Sequence, residues 1–277
     1  MKNARSFLFV PASRPERFAK ALEAGADCII VDLEDAVAPD QKAAARDQLA
    51  QRLPGFTPAQ LARTLVRINA VGTDWHADDL RLLAGWTPQG LAGVMVPKAE
   101  DPATLRGIGE ALGPAAALVP LIESLAGLDA VDPIARTPQV GRLAFGHLDF
   151  QLDLGMRCGV EESELTQVRF ALVAASRRAG LAAAIDGVTT DTGNAQRLLA
   201  DVQRARAFGF GGKLCIHPAQ VTAVNETFSP SAAELEWARR VLAGAEAHQG
   251  QAFSLDGRMV DLPVIRLAER TLRQVAR

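Results

Sequence analysis

Eight short apolar runs, several of them leading into charged residues and most followed by a helical or polar stretch, restrict this chain's fold more than any other feature. They lie at residues 6–12, 28–33, 64–69, 93–98, 117–124, 142–150, 182–188 and 212–218. Most are continuous rather than alternating, as expected of parallel strands buried on both faces. Helical patterns fall between them, at 15–24, 41–53, 102–112, 161–179 and 193–208, with Gly25, Gly180 and Gly209 as stops. Strand–helix alternation repeated eight times predicts a TIM (β/α)8 barrel. A doubly wound open sheet would want a glycine-rich phosphate loop after a strand, and neither G-x-G-x-x-G nor G-x-x-x-x-G-K-[ST] occurs.

Residues 226–277 fall outside the barrel count. Ser229-Pro230-Ser231 caps a helix over 231–248, Asp256-Gly257 marks a hairpin within 251–260, and a last helix is expected over 262–276. The expected division is a barrel over 1–225 and a helix-hairpin-helix extension over 226–277, packed on the barrel or on a neighbouring subunit.

A formal net charge of -2 leaves no basic stripe for a nucleic acid, whereas a small anionic substrate needs only one or two placed arginines. The apolar run at 7–10 stops at Pro11, too short for a secretion signal, and no stretch approaches the roughly 18–20 apolar residues of a membrane span. The expected location is the cytoplasm. Cys28, Cys158 and Cys215 lack metal-type spacing, and the odd count fits a reducing compartment, with buried thiols acting as small hydrophobes. Tyrosine is absent, so proton transfer falls to a carboxylate, histidine, lysine or cysteine.

In a barrel the charged strand ends meet at one mouth. Asp32 and Glu34 are two apart, which on a strand sets both side chains on one face and Asp35 on the other. They are expected behind the site, with Asp35 or Asp40 capping the next helix. Glu123 and Asp149, at the ends of adjacent strands, make an oxygen-rich partial site of the kind that suits Mg²⁺. Arg67 can hold a carboxylate through its fork. Lys98 ends the fourth strand, as a charge partner for the carboxylates or as a Schiff-base lysine. His217 ends the eighth, in contact with substrate or in a structural hydrogen bond. His147 orients a loop, and His76 and His248 belong to surface helices.

Taken in order, the segments Arg5-Ser6-Phe7-Leu8-Phe9-Val10-Pro11, Asp32-Leu33-Glu34-Asp35-Ala36-Val37, Val66-Arg67-Ile68-Asn69, Val96-Pro97-Lys98, Ile122-Glu123-Ser124, Phe145-Gly146 with Asp149-Phe150, Gly212-Lys213 with Ile216-His217-Pro218, and Gly257-Arg258-Met259-Val260-Asp261-Leu262-Pro263 resemble the citrate lyase β-subunit family. These are CoA-ester lyases of the HpcH/HpaI aldolase superfamily. The resemblance implies Mg²⁺ on Glu123 and Asp149, Arg67 gripping an oxo-acid carboxylate, and Phe9 lining the substrate pocket. It places the catalytic acid–base at Asp261, reaching into a neighbouring subunit's site in a trimer or a multiple of one. Without it, Asp261 is a turn residue.

The implied reaction cleaves or forms a 3-hydroxy-acyl-CoA such as citramalyl-, malyl- or citryl-CoA, giving acetyl-CoA and a 2-oxo acid. Citrate lyase β-subunits usually carry Gly-Ala-Glu-Asp around the second metal ligand, where this chain has Gly146-His147-Leu148-Asp149. That departure points to a stand-alone lyase on free CoA esters. The alternatives are a citrate lyase complex subunit served by an acyl carrier, a metal-dependent 2-oxo-acid aldolase, and a malyl-CoA thioesterase.

Overall fold

A computed structural model describes residues 1–274; residues 275 and 276 of the expected last helix lie outside them. Eight parallel strands close into a barrel in chain order, so the chain is a TIM barrel. They are β1 (Ser6–Pro11), β2 (Cys28–Asp32), β3 (Thr64–Arg67), β4 (Gly93–Val96), β5 (Leu118–Ile122), β6 (Ala144–Phe145), β7 (Ile185–Asp186) and β8 (Gly212–Cys215). β8 pairs back onto β1, with Leu214 beside Phe7, which removes every open edge. The barrel core is built from Phe7, Ile30, Leu65, Met95, Val119, Leu121, Ile185 and Leu214, all buried. The buried Arg142 donates to the carbonyls of Ala4 and Ala183 at 2.6 and 2.7 Å and lies 5.1 Å from the Phe7 ring, tying together the start of the chain and the stretches leading into β6 and β7.

Each strand is shorter than the apolar run that predicts it, because a parallel strand ends where the chain turns out of the barrel. The largest difference is at 142–150. There β6 spans two residues, and after Gly146 the chain enters the helix His147–Asp153. His147 and Phe150 are buried while Leu148, Asp149 and Leu152 are exposed, a spacing of three that belongs to a helix. The apolar content of Leu148 and Phe150 had imitated a strand. The 182–188 run likewise keeps only Ile185–Asp186. The 161–179 pattern opens with Glu162 in the left-handed region, φ 45, and a single 3-10 turn, and the α-helix begins at Thr166. Asp35 and Asp40 cap nothing: the helix Lys42–Arg52 is entered through a 3-10 turn and has no side-chain cap.

The chain separates into two compact units, Met1–Val224 and Asn225 onward. In the second, the helix Ala232–Ala247 starts at a capping box of Ser231 and Glu234. The hairpin joins β9 (Phe253–Leu255) to β10 (Arg258–Val260). Asp256 and Gly257 both have positive φ, 50 and 75, as a type I′ turn requires. The helix Leu262–Arg273 follows. Ala238, Val241, Phe253, Val260, Ile265 and Ala268 form this unit's own core. Among the described residues no helix is long and apolar enough to cross a membrane.

Candidate active site

The register of β2 against β3 sets Asp32 directly beside Arg67, and the site is built outward from that pair. Arg67 donates from Nε to Asp32 Oδ1 at 2.7 Å and from Nη2 to Oδ2 at 2.6 Å, a bidentate fork. The same two oxygens accept the backbone N–H groups of Glu34 and Ala36, so the carboxylate is fixed on all sides. The outer nitrogen, Nη1, donates to Asp35 at 3.1 Å and lies 2.9 Å from Glu34 Oε2. The Phe9 ring sits 4.9 Å from the guanidinium carbon. Burial alone would lower the Arg67 pKa, but Asp32, then Glu34 and Asp35, hold it above the ordinary arginine value.

Glu34 and Asp35 therefore do not point to opposite faces. β2 ends at Asp32, and the turn beyond it, closed by Val37 N on Glu34 O, brings both side chains to one guanidinium. Lys42 holds this turn by donating to the carbonyls of Leu33 and Glu34. Burial pushes Glu34 up to about 7, against the pull of Arg67 and with the repulsion of Asp35 and Asp32. Its Oε2 is close to Arg67 but out of hydrogen-bond alignment, which leaves a buried oxygen without a hydrogen bond.

Glu123 follows β5. Its Oε1 accepts the backbone N–H of Lys98 at 2.7 Å, and Lys98 adopts a left-handed φ of 46 to present it. Lys98 thus contributes its backbone to the site, and its side chain is exposed. Burial lifts the Glu123 carboxyl to about 8; the Lys98 N–H opposes this, and the charges of Glu34 and Asp149 reinforce it. Gly146, at the end of β6, is what allows Glu123 its place: a Cβ there would lie 2.5 Å from Glu123 Oε2. Asp149 is in the first turn of the helix His147–Asp153, exposed, one element later than its expected position at a strand end.

These donors suit a hard divalent cation. Glu34, Glu123 and Asp149 supply oxygen only, their charges repel one another where they are buried, and one buried oxygen lacks a hydrogen bond. Among the described residues no three His, Cys, Asp or Glu side chains are grouped so as to hold a metal ion by themselves. A cation here would draw further ligands from water or substrate, as Mg²⁺ commonly does.

A second ionic cluster lies behind the ends of β6, β7 and β8. Glu162 meets Arg169, Arg197 at 3.1 Å and Arg204 at 2.9 Å, with His147 Nε2 at 3.7 Å. Arg169 also reaches Asp186 at 3.2 Å, and the buried Lys213 donates to Gly187 O at 2.6 Å. Burial lowers His147 to about 4, so its ring is neutral near pH 7, and a Cβ on Gly187 would run into it. The sequence reading missed this cluster. Its signal was charged residues inside or ending apolar runs, Asp186 and Lys213.

Phe9, Asp32, Glu34, Arg67, Glu123 and Asp149 all belong to the barrel unit. His217 is exposed and its Nδ1 accepts from Ala219 N at 3.2 Å, a structural hydrogen bond. Asp261 belongs to the second unit, where it caps the helix Leu262–Arg273 and faces Val264 N at 3.5 Å. Cys28 and Cys215 are buried free thiols pushed up to about 11 and about 12 by burial, which favours the protonated thiol near pH 7; Cys158 is free and half-buried.

Residues 5–218 match the HpcH/HpaI aldolase/citrate lyase family. A citrate lyase subunit beta-like protein of Mycobacterium tuberculosis is 40% identical over 97% of this chain and 94% of its own. A (3S)-malyl-CoA thioesterase of Cereibacter sphaeroides is 33% identical, covering 97% and 93%. The mitochondrial citramalyl-CoA lyase of Mus musculus is 32% identical, covering 96% and 84%. Among solved structures, CitE of M. tuberculosis in complex with magnesium, acetoacetate and coenzyme A superposes with a TM-score of 0.86 at 36% identity, over 100% of both chains.

Proposed function

Since the chain belongs to the HpcH/HpaI aldolase/citrate lyase family and is accordingly a lyase, we propose that it is a Mg²⁺-dependent carbon–carbon lyase. Its proposed substrate is a free 3-hydroxy-acyl-CoA bearing a carboxylate, such as citramalyl-, malyl- or citryl-CoA. The carrying observation is the cluster of carboxylates at the mouth, the buried Glu34 and Glu123 with the exposed Asp149 close enough to raise the Glu123 carboxyl, beside a fixed arginine. Residues of that set would hold the metal, Glu123 and Asp149 first. Bound there, Mg²⁺ supplies Lewis-acid polarisation of the carbonyl and carboxylate of the oxo acid.

Arg67 holds the substrate carboxylate from the β3 end, with Asp32 fixing its plane and Phe9 covering one face. The Lys98 N–H holds Glu123 in one rotamer. On cleavage, the C3 hydroxyl gives up its proton to solvent as it becomes the carbonyl of the oxo acid, and the bond between carbons 2 and 3 breaks toward the thioester. A protonated Asp261 delivers its proton to the resulting enolate carbon; in condensation Asp261 removes the proton from that carbon and the new alkoxide is protonated from solvent. Asp261 comes from a neighbouring subunit of a trimer, or a multiple of one, in the cytoplasm. The C. sphaeroides relative supports a second reading, hydrolysis of the thioester. The products separate the two, acetyl-CoA with a 2-oxo acid against free CoA with a hydroxy acid.

The test is turnover of a panel of hydroxy-acyl-CoA esters with and without Mg²⁺, for the wild type and for Glu123→Ala. Cleavage that needs the ion and vanishes in Glu123→Ala is expected. Full activity after chelation would sink the assignment.

A further inference from the structure

Arg67 has five N–H donors, and most are already committed. The Nε and Nη2 fork faces Asp32, whose side chain is 1% exposed and whose oxygens also accept the N–H groups of Glu34 and Ala36. Asp32 is therefore a permanent partner. Phe9 covers one face of the guanidinium. A carboxylate arriving from solvent is left with the outer edge, where Nη1 lies 2.9 Å from the buried Glu34 Oε2, out of hydrogen-bond alignment, and carries its hydrogen bond to Asp35.

Asp35 differs from its neighbours in one respect. Its side chain is 68% exposed, against 10% for Glu34, although all three acids meet the same arginine. An exposed carboxylate leaves an ion pair cheaply, because water replaces the lost partner. A buried one does not. The turn that carries Asp35 is itself anchored, by Lys42 on the carbonyls of Leu33 and Glu34 and by Ala36 N on Asp32, so the Asp35 side chain can swing away without moving the turn.

We propose that Asp35 is a tethered competitor for the substrate carboxylate: it occupies the outer nitrogen of Arg67, and a ligand binds by displacing it. This rests on the reading in which Arg67 grips an oxo-acid carboxylate. The consequence is selectivity. A ligand with a full negative charge at that position replaces one charge-assisted bond by another, whereas a neutral analogue must give one up. Asp35 thereby weakens every anionic ligand by a fixed factor and keeps uncharged carbonyl compounds off the arginine.

The experiment is calorimetric titration of the Mg²⁺-loaded protein with pyruvate and, in parallel, with neutral pyruvamide, in the wild type, Asp35→Asn, Asp35→Glu and Arg67→Ala. An exposed pair of this kind corresponds to a dissociation constant for pyruvate about two- to fivefold lower in Asp35→Asn. Asp35→Glu, which keeps the charge, should stay near the wild type. In steady-state condensation the gain should fall on KM rather than kcat. Pyruvate binding in Asp35→Asn equal to or weaker than the wild type would overturn the proposal, as would equal tightening in Asp35→Glu. If instead Arg67→Ala binds pyruvate as well as the wild type, the role of Arg67 itself fails, and the proposal fails with it.

Discussion

Replacing Gly146 by alanine tests the geometry of the carboxylate site most directly. At φ −91 and ψ 66 residue 146 lies near the inverse γ-turn region, which L residues adopt, so the effect of Gly146→Ala is chiefly steric. A Cβ there would lie 2.5 Å from Glu123 Oε2 and 2.6 Å from Glu123 Cβ. The carboxylate could rotate away, but the Glu123 Cβ is fixed to its backbone. Ile122 and Phe145 pair across β5 and β6, so relief requires these two strand ends to part. Ordinary carbon contacts lie at about 3.5–4.0 Å, so the opening is roughly 1 Å. It strains the hydrogen bond from Gly146 N to Ile122 O, now 2.9 Å. Overpacking of this kind costs about 1–3 kcal/mol. For a domain of this size that lowers Tm by roughly 2–12 °C.

Metal sites tolerate errors of only about 0.2 Å in ligand position, so Mg²⁺ affinity should fall at least about tenfold. Thermal unfolding with and without Mg²⁺, and competition against Mn²⁺ followed by electron paramagnetic resonance, measure the two effects. In a Glu123→Gly background both clashing atoms are gone, and the added cost of Gly146→Ala should vanish. A Gly146→Ala protein with wild-type Tm and wild-type metal affinity would refute the reasoning.

Burial holds Glu34 and Glu123 up to about 7 and about 8, against an ordinary 4.5, so the folded metal-free chain binds more protons than the unfolded one between those values. Its stability should therefore be full below about pH 4.5 with respect to these groups and fall as pH rises toward 8, while Mg²⁺ affinity climbs over the same window. A metal-free Tm that rises across that range would contradict this. Asparagine caps helices as well as aspartate does, so Asp261→Asn should leave Tm nearly unchanged and cut turnover by roughly 10²–10⁴; full activity would remove Asp261 from the chemistry. Arg169→Met takes the shared cation from Glu162 and Asp186 and should cost about 3–5 kcal/mol in denaturant unfolding. A smaller loss, below about 1 kcal/mol, would mean that Arg197, Arg204 and Lys213 compensate.

The alternation of apolar runs and helical patterns was enough to predict eight strands in a closed barrel. Continuous apolar runs belong to parallel strands buried on both faces, and the lack of a glycine-rich phosphate loop turned the choice from an open doubly wound sheet to a closed barrel. The residues ending those runs, Asp32, Arg67 and Glu123, were legible for the same reason, since a barrel gathers its C-terminal strand ends at one mouth. Asp149 was expected at a strand end and lies in a helix, because Leu148 and Phe150 extend an apolar run that the backbone leaves at Gly146.

Only the tertiary structure decided which charged groups meet. Asp35 read as a helix cap, yet the turn after β2 carries it to Arg67, 32 residues away. Lys98 read as a charge partner for the carboxylates, and its charge does oppose the rise of Glu34, but its left-handed backbone also delivers an N–H to Glu123. The steric role of Gly146 was not legible, because the space it leaves is defined by a neighbouring strand, and the Glu162 cluster draws on elements far apart in the chain. Periodicity is a local property and survives in one dimension. Close approach, burial and the pKa values they set depend on what lies across the barrel, and that is fixed only when the sheet closes.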